Sequence, residues 1–219
     1  MRTIAVIALK GGSGKTTVAT HLALAAHLRE LKTLVVDIDP QQSAVEVLRA
    51  REATGPEVIA TSGPDLYAAQ FAAIRTGVEA MVIDTAAGAI EDLGHAIVLA
   101  DLSLLVVRPT LLDIAAAVRT CSVVRRLRKP AMVVMNQAPV ARDGVEPPQV
   151  QRAMRALATM RLPVAPTILR SRAIYQSALE TGRSAEERGD VAAIREVAQF
   201  WNFIEGFAFA KRAQPVAAE

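Results

Sequence analysis

Residues 10–17 read Lys10-Gly11-Gly12-Ser13-Gly14-Lys15-Thr16-Thr17 and directly follow the short apolar run Arg2–Leu9. Three glycines in this stretch allow the backbone to curl with its N–H groups directed inward around an anion. The residues after the loop have helical spacing, so a helix N-terminus adds its dipole and its free N–H groups to the attraction. The stretch therefore predicts a phosphate-binding loop between a strand and a helix.

The spacing of the lysines in this loop is unusual. Lys15 is placed to reach the β- and γ-phosphates of a nucleotide, and the Thr16 hydroxyl is placed to bind Mg²⁺. The common form is G-x-x-x-x-G-K-[ST], but Leu9 stands at the first glycine position here. An extra lysine, Lys10, precedes the loop. It has no evident role in its own subunit, so we expect it to contact the phosphates of a second copy, as an arginine finger does.

Strand-like and helix-like segments alternate over the rest of the chain. Continuous apolar runs separated by amphipathic segments predict a doubly wound α/β domain, with a mostly parallel sheet and helices on both faces. We assign residues 1–210 to this single domain and residues 211–219 to a flexible tail. The predicted strands are Arg2–Leu9, Thr33–Asp37, Glu57–Thr61, Ala80–Asp84, Leu102–Val107, Ala131–Asn136 and Pro163–Leu169.

Composition narrows the class of protein. The 219 residues, 52% of them hydrophobic, suffice for one sizeable core and are few for two. Cys121 is the only cysteine, which excludes a disulfide framework and a cysteine-based zinc or iron–sulfur site. No apolar run approaches the roughly 18 residues of a membrane span. We therefore expect a cytoplasmic protein.

Basic charge is concentrated in one part of the chain. The whole chain has a net charge of +3, yet residues 114–179 hold eleven Arg and Lys residues and only two acidic ones. Such segregation favours an anionic partner such as nucleic acid. A solvated basic face without a partner would give the same pattern.

Four motifs together resemble the deviant Walker A ATPases, and among them the small ParA- and ParF-type partition proteins. The resemblance extends from Met1 to about Ile204. It implies a P-loop NTPase fold, ATP and Mg²⁺ as cofactors, and a Mg²⁺-dependent ATPase that is weak without its partner. The motifs are Lys10–Thr17, Val36-Asp37-Ile38-Asp39-Pro40-Gln41, Val82-Ile83-Asp84-Thr85-Ala86-Ala87-Gly88, and Arg108-Pro109-Thr110 with Asp113.

The carboxylates in these motifs have distinct expected roles. Asp39 lies just beyond a strand end, where a carboxylate can orient the attacking water, so we expect Lys10, Lys15 and Asp39 to form the catalytic set. Asp84 fits the Walker B aspartate that holds a Mg²⁺-bound water, and Asp37 supports the metal or the loop from a second layer. The alternative role for each aspartate is that of a helix N-cap.

The resemblance also implies partners. ATP would drive formation of a homodimer in which Lys10 crosses the interface, and the dimer would bind DNA without sequence preference and associate with the nucleoid. A ParB- or ParG-like activator or cargo adaptor would stimulate hydrolysis, and the cargo would be a plasmid, a chromosome region or a protein cluster. Asn136 resembles the family's adenine-side polar residue. The candidate DNA contacts are Arg152, Arg155, Arg170 and Arg172, together with the cluster at 125–128.

The C-terminal stretch Phe200–Phe209 leaves an alternative open. It holds four of the five phenylalanines and the only tryptophan, and its spacing gives one apolar helix face. A MinD-like ATPase would use such a helix to associate with a membrane. Few basic residues flank the stretch, and Gly206 weakens a helix, so we expect it to pack on the sheet or meet a partner. A metabolic relative, such as an ATP-dependent ligase or a metal-insertion protein, would need substrate-binding or cysteine residues beyond the ATP site.

Overall fold

The structure is a computed structural model that describes residues 1–88 and 90–209. In this part of the chain six strands form one sheet in which every neighbouring pair is parallel. The strands are β1 Arg2–Ile7, β2 Thr33–Asp37, β3 Glu57–Ala60, β4 Ala80–Asp84, β5 Leu102–Val107 and β6 Ala131–Met135. Their order across the sheet is β3-β2-β4-β1-β5-β6.

Helices cover both faces of this sheet. They are α1 Lys15–His27, α2 Ser43–Arg49, α3 Leu66–Arg75, α4 Ile90–Leu99, α5 Leu111–Leu127, α6 Pro148–Ala158, α7 Ala173–Leu179 and α8 Val191–Ala208. One buried apolar cluster joins the sheet to α1, α2, α7 and α8. A second joins the opposite face to α3, α4, α5 and α6. The predicted doubly wound α/β fold is confirmed.

The central strand shows why these runs are apolar throughout. Ile4 and Val6 of β1 belong to one cluster, while Ala5 and Ile7 belong to the other. Successive side chains of a strand point to opposite faces, so a strand covered on both sides needs apolar residues at every position. The same requirement made the five buried strands recognisable to within two residues of their bounds, whereas the edge strand β3, predicted as Glu57–Thr61, is largely exposed.

The seventh predicted strand, Pro163–Leu169, is wrong. This segment runs beside β6 but pairs with it only at isolated bridges, at Val164 with Val133 and at Arg170 with Ala138. Between the two bridges the N–H of Leu169 donates to the carbonyl oxygen of Met135 at 3.0 Å, so the segment follows β6 without forming the continuous ladder of a strand. The predicted tail 211–219 lies outside the described residues, and the division at residue 210 stays a prediction.

The aromatic C-terminal stretch faces inward over most of its length. Phe200, Trp201 and Ile204 of α8 are buried in the cluster that contains α1. Phe207 is about half exposed. None of the helices within residues 1–88 and 90–209 combines the length and the hydropathy needed to cross a bilayer.

Candidate nucleotide-binding site

A groove opens at the carboxyl ends of the central strands, where ligands bind in doubly wound folds. It has a volume of about 580 Å³ and is open to solvent. Its walls are the loop after β1, the start of α1, the segment 39–41 after β2 and the pair Ala86 and Ala87 after β4. Three of the four sequence motifs therefore meet in one groove.

The loop after β1 has the backbone shape that an anion site requires. Gly12 and Gly14 have φ angles of 74° and 86°, in the left-handed region that favours glycine. Gly14 is the N-cap of α1, and no side chain caps the helix. The first N–H groups of α1 are therefore not occupied by a capping side chain and point toward the groove, as in helix-terminal phosphate sites.

Asn136 fixes this loop from the neighbouring strand end. It is buried, and its Nδ2 donates a hydrogen bond to the carbonyl oxygen of Ser13 at 2.9 Å. A Cβ atom on Gly14 would lie 2.3 Å from the same Nδ2, so the close approach requires glycine. Asn136 thus supports the loop itself, and its expected contact with adenine stays a prediction.

Lys15 and Asp84 form the buried base of the groove. Burial lowers the pKa of the Lys15 ammonium, while the nearby carboxylates of Asp84 and Asp39 favour its charged form. Burial raises the pKa of Asp84 to about 7, against the opposing influence of Thr16 and Lys15. Neither carboxylate oxygen of Asp84 has a hydrogen-bond partner among the described residues. The Thr16 hydroxyl is its polar neighbour, but the two groups do not have the geometry of a hydrogen bond.

An unpartnered buried carboxylate beside a threonine hydroxyl fits a magnesium site. Buried polar groups normally have partners, so the two free oxygens of Asp84 indicate a missing ligand. Within residues 1–88 and 90–209 there is no group of three or more His, Cys, Asp or Glu side chains arranged for a metal ion. Mg²⁺ bound here would therefore depend on nucleotide phosphates and waters as well as on Thr16 and Asp84, which is how Mg²⁺ is usually held.

Asp37 is buried next to Asp84 but is fully engaged. One of its oxygens accepts from the N–H of Asp39 at 3.0 Å, and the other accepts from the N–H groups of Ala44 and Val45 at 3.0 and 3.3 Å. Burial raises its pKa, and these three backbone donors oppose the rise. Asp37 therefore holds the segment 39–41 and the start of α2 in place, and its expected support of Mg²⁺ or of the loop stays a prediction.

Asp39 itself lines the groove. Its Oδ1 accepts a hydrogen bond from the N–H of Gln41 at 3.0 Å, which forms a tight turn at Pro40. The other carboxylate oxygen has no hydrogen bond in the described part of the chain. Asp39 is thus positioned by a backbone turn at the groove wall, and its role in orienting water stays a prediction.

Lys10 has a partner within its own subunit, which corrects the expectation that it has none. Its Nζ donates to Asp113 Oδ2 at 2.7 Å, and Arg108 Nε donates to the other oxygen at 3.0 Å. The Thr110 hydroxyl also donates to Asp113, at 2.6 Å. Burial alone would raise the pKa of Asp113, but these three donors hold it at about 2. The carboxylate therefore remains charged and keeps the ammonium of Lys10 beside the loop.

Arg108 is a site residue that the sequence analysis did not assign. Its guanidinium lies about 4 Å from where a Cβ atom on Gly12 would be, so a positive charge faces the phosphate loop. The signal was present in the stretch Arg108-Pro109-Thr110 with Asp113, which ends β5 and begins α5. Only the three-dimensional contact with Gly12 distinguishes Arg108 from a surface arginine.

The four candidate DNA contacts divide into two pairs. Arg170 is bidentate with Glu146, and Arg172 contacts Glu196 through Nε and Nη2. These two side chains are only 13% and 22% exposed, so their charges are largely neutralised within the chain. Arg152 and Arg155 are exposed on α6 and form no ion pair with the described residues.

Comparison with known proteins places the fold and the site in a family context. Over 69 residues the chain is 41% identical to a protein of Rhizobium rhizogenes that is provisionally named replication protein A. The aligned stretch covers 32% of this chain and 16% of that protein. The chain thus matches about a sixth of the length of this relative.

Solved structures share the fold over nearly the whole chain. McdA of Cyanothece in its apo form is 17% identical, with a TM-score of 0.78 and coverage of 93% of this chain and 99% of that chain. A protein of Borrelia burgdorferi B31, provisionally described as a plasmid partition protein and bound to AMPPNP, is 15% identical, with a TM-score of 0.68 and coverage of 93% and 98%. At these identities the likeness concerns the fold.

The family itself is defined by the sequence match. The model of the CobQ/CobB/MinD/ParA nucleotide binding domain matches residues 4–183, which include the phosphate loop, Asp84 and the Lys10–Asp113 pair. Because this match spans most of the chain, the chain belongs to the CobQ/CobB/MinD/ParA nucleotide-binding domain family.

Proposed function

We propose that this protein is a ParA-like, Mg²⁺-dependent ATPase that partitions or positions a cargo. The observation that carries the proposal is the pair of lysines around one loop: Lys15, which lines the groove, and Lys10, which directly precedes the loop and is held by Asp113. Lys15 would hold the phosphates, Thr16 and Asp84 would hold Mg²⁺, and Asp39 would orient the attacking water. Mg²⁺, when bound, neutralises charge on the transferred phosphoryl group.

Nucleotide binding is tested first. We expect Mg²⁺–ATP to bind the wild type and Lys15→Gln to weaken binding by roughly 100-fold, because a buried charge contact with phosphate is lost. Lys32→Gln, which removes an exposed lysine at the opposite end of β2, is the matched control and should bind normally. Equal affinity of the Lys15→Gln variant and the control would remove the basis of the proposal.

The role of Lys10 across a dimer can be tested by mixing two inactive variants. Lys10→Ala lacks the crossing lysine, and Asp39→Ala lacks the residue that orients water. In a mixed dimer the subunit with Lys10→Ala keeps Asp39 and receives an intact Lys10 from its partner. We therefore expect ATP hydrolysis to return on mixing. If Lys10 acts within its own subunit, neither site of the mixed dimer is complete and the activity stays absent.

The ATP-bound dimer is proposed to bind DNA without sequence preference through the exposed face of α6. Arg155 is the supported contact, because Arg170 and Arg172 are already paired with carboxylates and Arg152 lines the groove between α5 and α6. We expect ATP-dependent binding to random-sequence duplex DNA that weakens steeply with salt. Arg155→Ala should reduce the slope of log K against log salt by about 1, whereas Arg75→Ala on the distant helix α3 should not.

A ParB- or ParG-like activator or cargo adaptor completes the proposed cycle by stimulating hydrolysis and releasing the dimer. The cargo would be a plasmid, a chromosome region or a protein cluster. The membrane-associated alternative loses support because Phe200, Trp201 and Ile204, which would have to insert into lipid, are packed in the core. Binding to liposomes and not to DNA, in the same ATP-dependent assay, would restore that alternative.

A further inference from the structure

The start of α5 exposes two leucines next to the phosphate loop. Leu111 is 83% exposed and Leu112 is 67% exposed, and Leu111 is the most exposed large hydrophobic side chain in the described part of the chain. They lie between Thr110 and Asp113, the two residues that, with Lys10, form the cluster beside the loop. Leu111 therefore lies at the part of the surface from which the Lys10 side chain would extend toward a second subunit.

A groove beside these leucines offers a matching surface. It lies between α5 and α6, has a volume of about 230 Å³ and is open to solvent. Its apolar wall is formed by Pro109, Ile114, Ala153 and Ala156 together with Leu111 itself, and Arg152 lines its polar side. One surface therefore carries both a protruding apolar pair and an apolar recess.

We propose that Leu111 and Leu112 pack into the α5–α6 groove of a second copy of this chain and form the apolar contact of the ATP-bound dimer. This inference rests on the homodimer of the proposed function. A two-fold interface uses the same patch on both subunits, so it requires a surface that is complementary to itself. A protrusion next to a recess meets that requirement, because each copy can supply the leucines for the groove of the other.

The charges around the patch explain why this contact would need nucleotide. Lys10 and Arg108 lie beside the leucines, and only Asp113 offsets them, so each copy presents an excess of positive charge. Two such faces repel one another when they meet without an anion between them. The phosphates of ATP bound at the loops supply the complementary charge.

Sedimentation velocity with Mg²⁺ and a non-hydrolysable ATP analogue tests the contact. The wild type, 23.3 kDa as a monomer, should double its mass when the analogue is added. Leu111→Glu and Leu112→Glu should each raise the dimer dissociation constant by roughly 30-fold or more, since each places a charge in a desolvated contact. At protein concentrations well below the dimer dissociation constant, where the wild type is also monomeric, both variants should bind a fluorescent ATP analogue with the affinity of the wild type, because neither side chain lines the nucleotide groove.

Val191→Glu is a matched control. Val191 is 69% exposed and is the first residue of α8 after a side-chain cap, as Leu111 is the first residue of α5. The two substitutions therefore add the same charge at the same helical position. Val191→Glu should dimerise like the wild type.

The remaining outcomes separate the two proposals. If Leu111→Glu and Leu112→Glu dimerise as tightly as Val191→Glu, the leucines do not form the contact, while the homodimer stands. If the variants lose affinity for the analogue itself, the leucines act through the loop and the inference fails. If the wild type stays monomeric with the analogue, the homodimer of the proposed function fails, and this inference fails with it.

Discussion

Asp37 and Asp84 occupy equivalent places at the carboxyl ends of neighbouring strands, and their surroundings differ completely. They are paired in the register of β2 and β4, and both are fully buried. Asp37 accepts three backbone hydrogen bonds, whereas Asp84 has no partner among the described residues. Two identical side chains on neighbouring strands therefore differ in function: Asp37 supports the backbone around it, and Asp84 has no such contact among the described residues.

The number of hydrogen-bond donors around a buried carboxylate therefore distinguishes structural from functional polar groups in this region. A buried carboxylate without donors costs folding free energy, so a chain that keeps one gains something from it elsewhere. Asp113 extends the comparison, because it is as well supplied with donors as Asp37 but receives them from side chains, of which Lys10 and Arg108 carry charge and Thr110 does not.

The largest effect is expected for Asp84→Asn in magnesium-free and nucleotide-free buffer. Burial raises the pKa of Asp84 from 3.8 to about 7, so between these values the folded chain keeps a proton that the unfolded chain releases. Stability therefore falls as the pH rises through this window. Relative to Asp84→Asn, the wild type should lose on the order of 3 kcal/mol between pH 5 and pH 8.

Urea unfolding of both proteins at the two pH values measures this loss, and ATP hydrolysis measures the function. We expect Asp84→Asn to be at least as stable as the wild type at pH 8 and to lose Mg²⁺-dependent hydrolysis. A stability difference between the two proteins that does not change with pH would show that Asp84 is not held protonated by burial.

Asp37→Ala should show the opposite behaviour. It removes the acceptor of three buried N–H groups, and we expect a loss of about 2–3 kcal/mol in the free energy of unfolding at pH 7. Asp37→Asn keeps one carbonyl oxygen and should fall between the wild type and Asp37→Ala. Unchanged stability of Asp37→Ala in urea unfolding would contradict the supporting role.

Asp113→Asn should cost about 2 kcal/mol at pH 7, because the pKa of Asp113 is held at about 2 instead of 3.8. A lowered carboxyl pKa stabilises the fold at pH values above the pKa of the unfolded chain. This stabilisation is lost as the pH falls toward the pKa of the folded chain. The difference from the wild type should therefore shrink by pH 3. Asp101→Asn, at an exposed ion pair with Arg2, is the matched control and should cost under about 1 kcal/mol at pH 7.

The smallest effect is expected for Asn136→Ala, which removes one buried hydrogen bond to the phosphate loop. We expect a loss of about 1 kcal/mol in the free energy of unfolding and weaker binding of ATP, because the carbonyl of Ser13 loses its donor. Asn202→Ala, on the exposed side of α8, is the control for the same substitution without a partner. Equal ATP affinity of the two variants would remove Asn136 from the support of the loop.

The parts of this molecule that sequence predicted depend on local chemistry. The five buried strands were recognisable because burial on both faces demands continuous apolar runs, and the loop at 10–17 was recognisable because its glycines and lysines are adjacent in the chain. The failure at Pro163–Leu169 concerns the extent of pairing, since an apolar run does not show whether its contact with β6 is a continuous ladder or a pair of isolated bridges.

The parts that sequence did not predict depend on contacts between distant residues. Lys10 and Asp113 are 103 residues apart, and no pattern near Lys10 shows that a carboxylate reaches it. Arg170 and Arg172 look like surface cations in the sequence, but Glu146 and Glu196 neutralise them after folding. Asp37 and Asp84 end similar apolar runs, and only the backbone donors around Asp37 distinguish them.

The position of β1 in the middle of the sheet also has a consequence for the order of folding. The strand that carries the phosphate loop pairs with β4 and β5, whose first residues lie 78 and 100 positions further along the chain. During synthesis the apolar residues of β1 therefore emerge long before either neighbour exists, and their pairing must wait for non-local loop closure. The strand that precedes the phosphate loop can therefore be paired on both sides only after β5 has been made, and fragments that end before β5 should neither fold nor bind nucleotide.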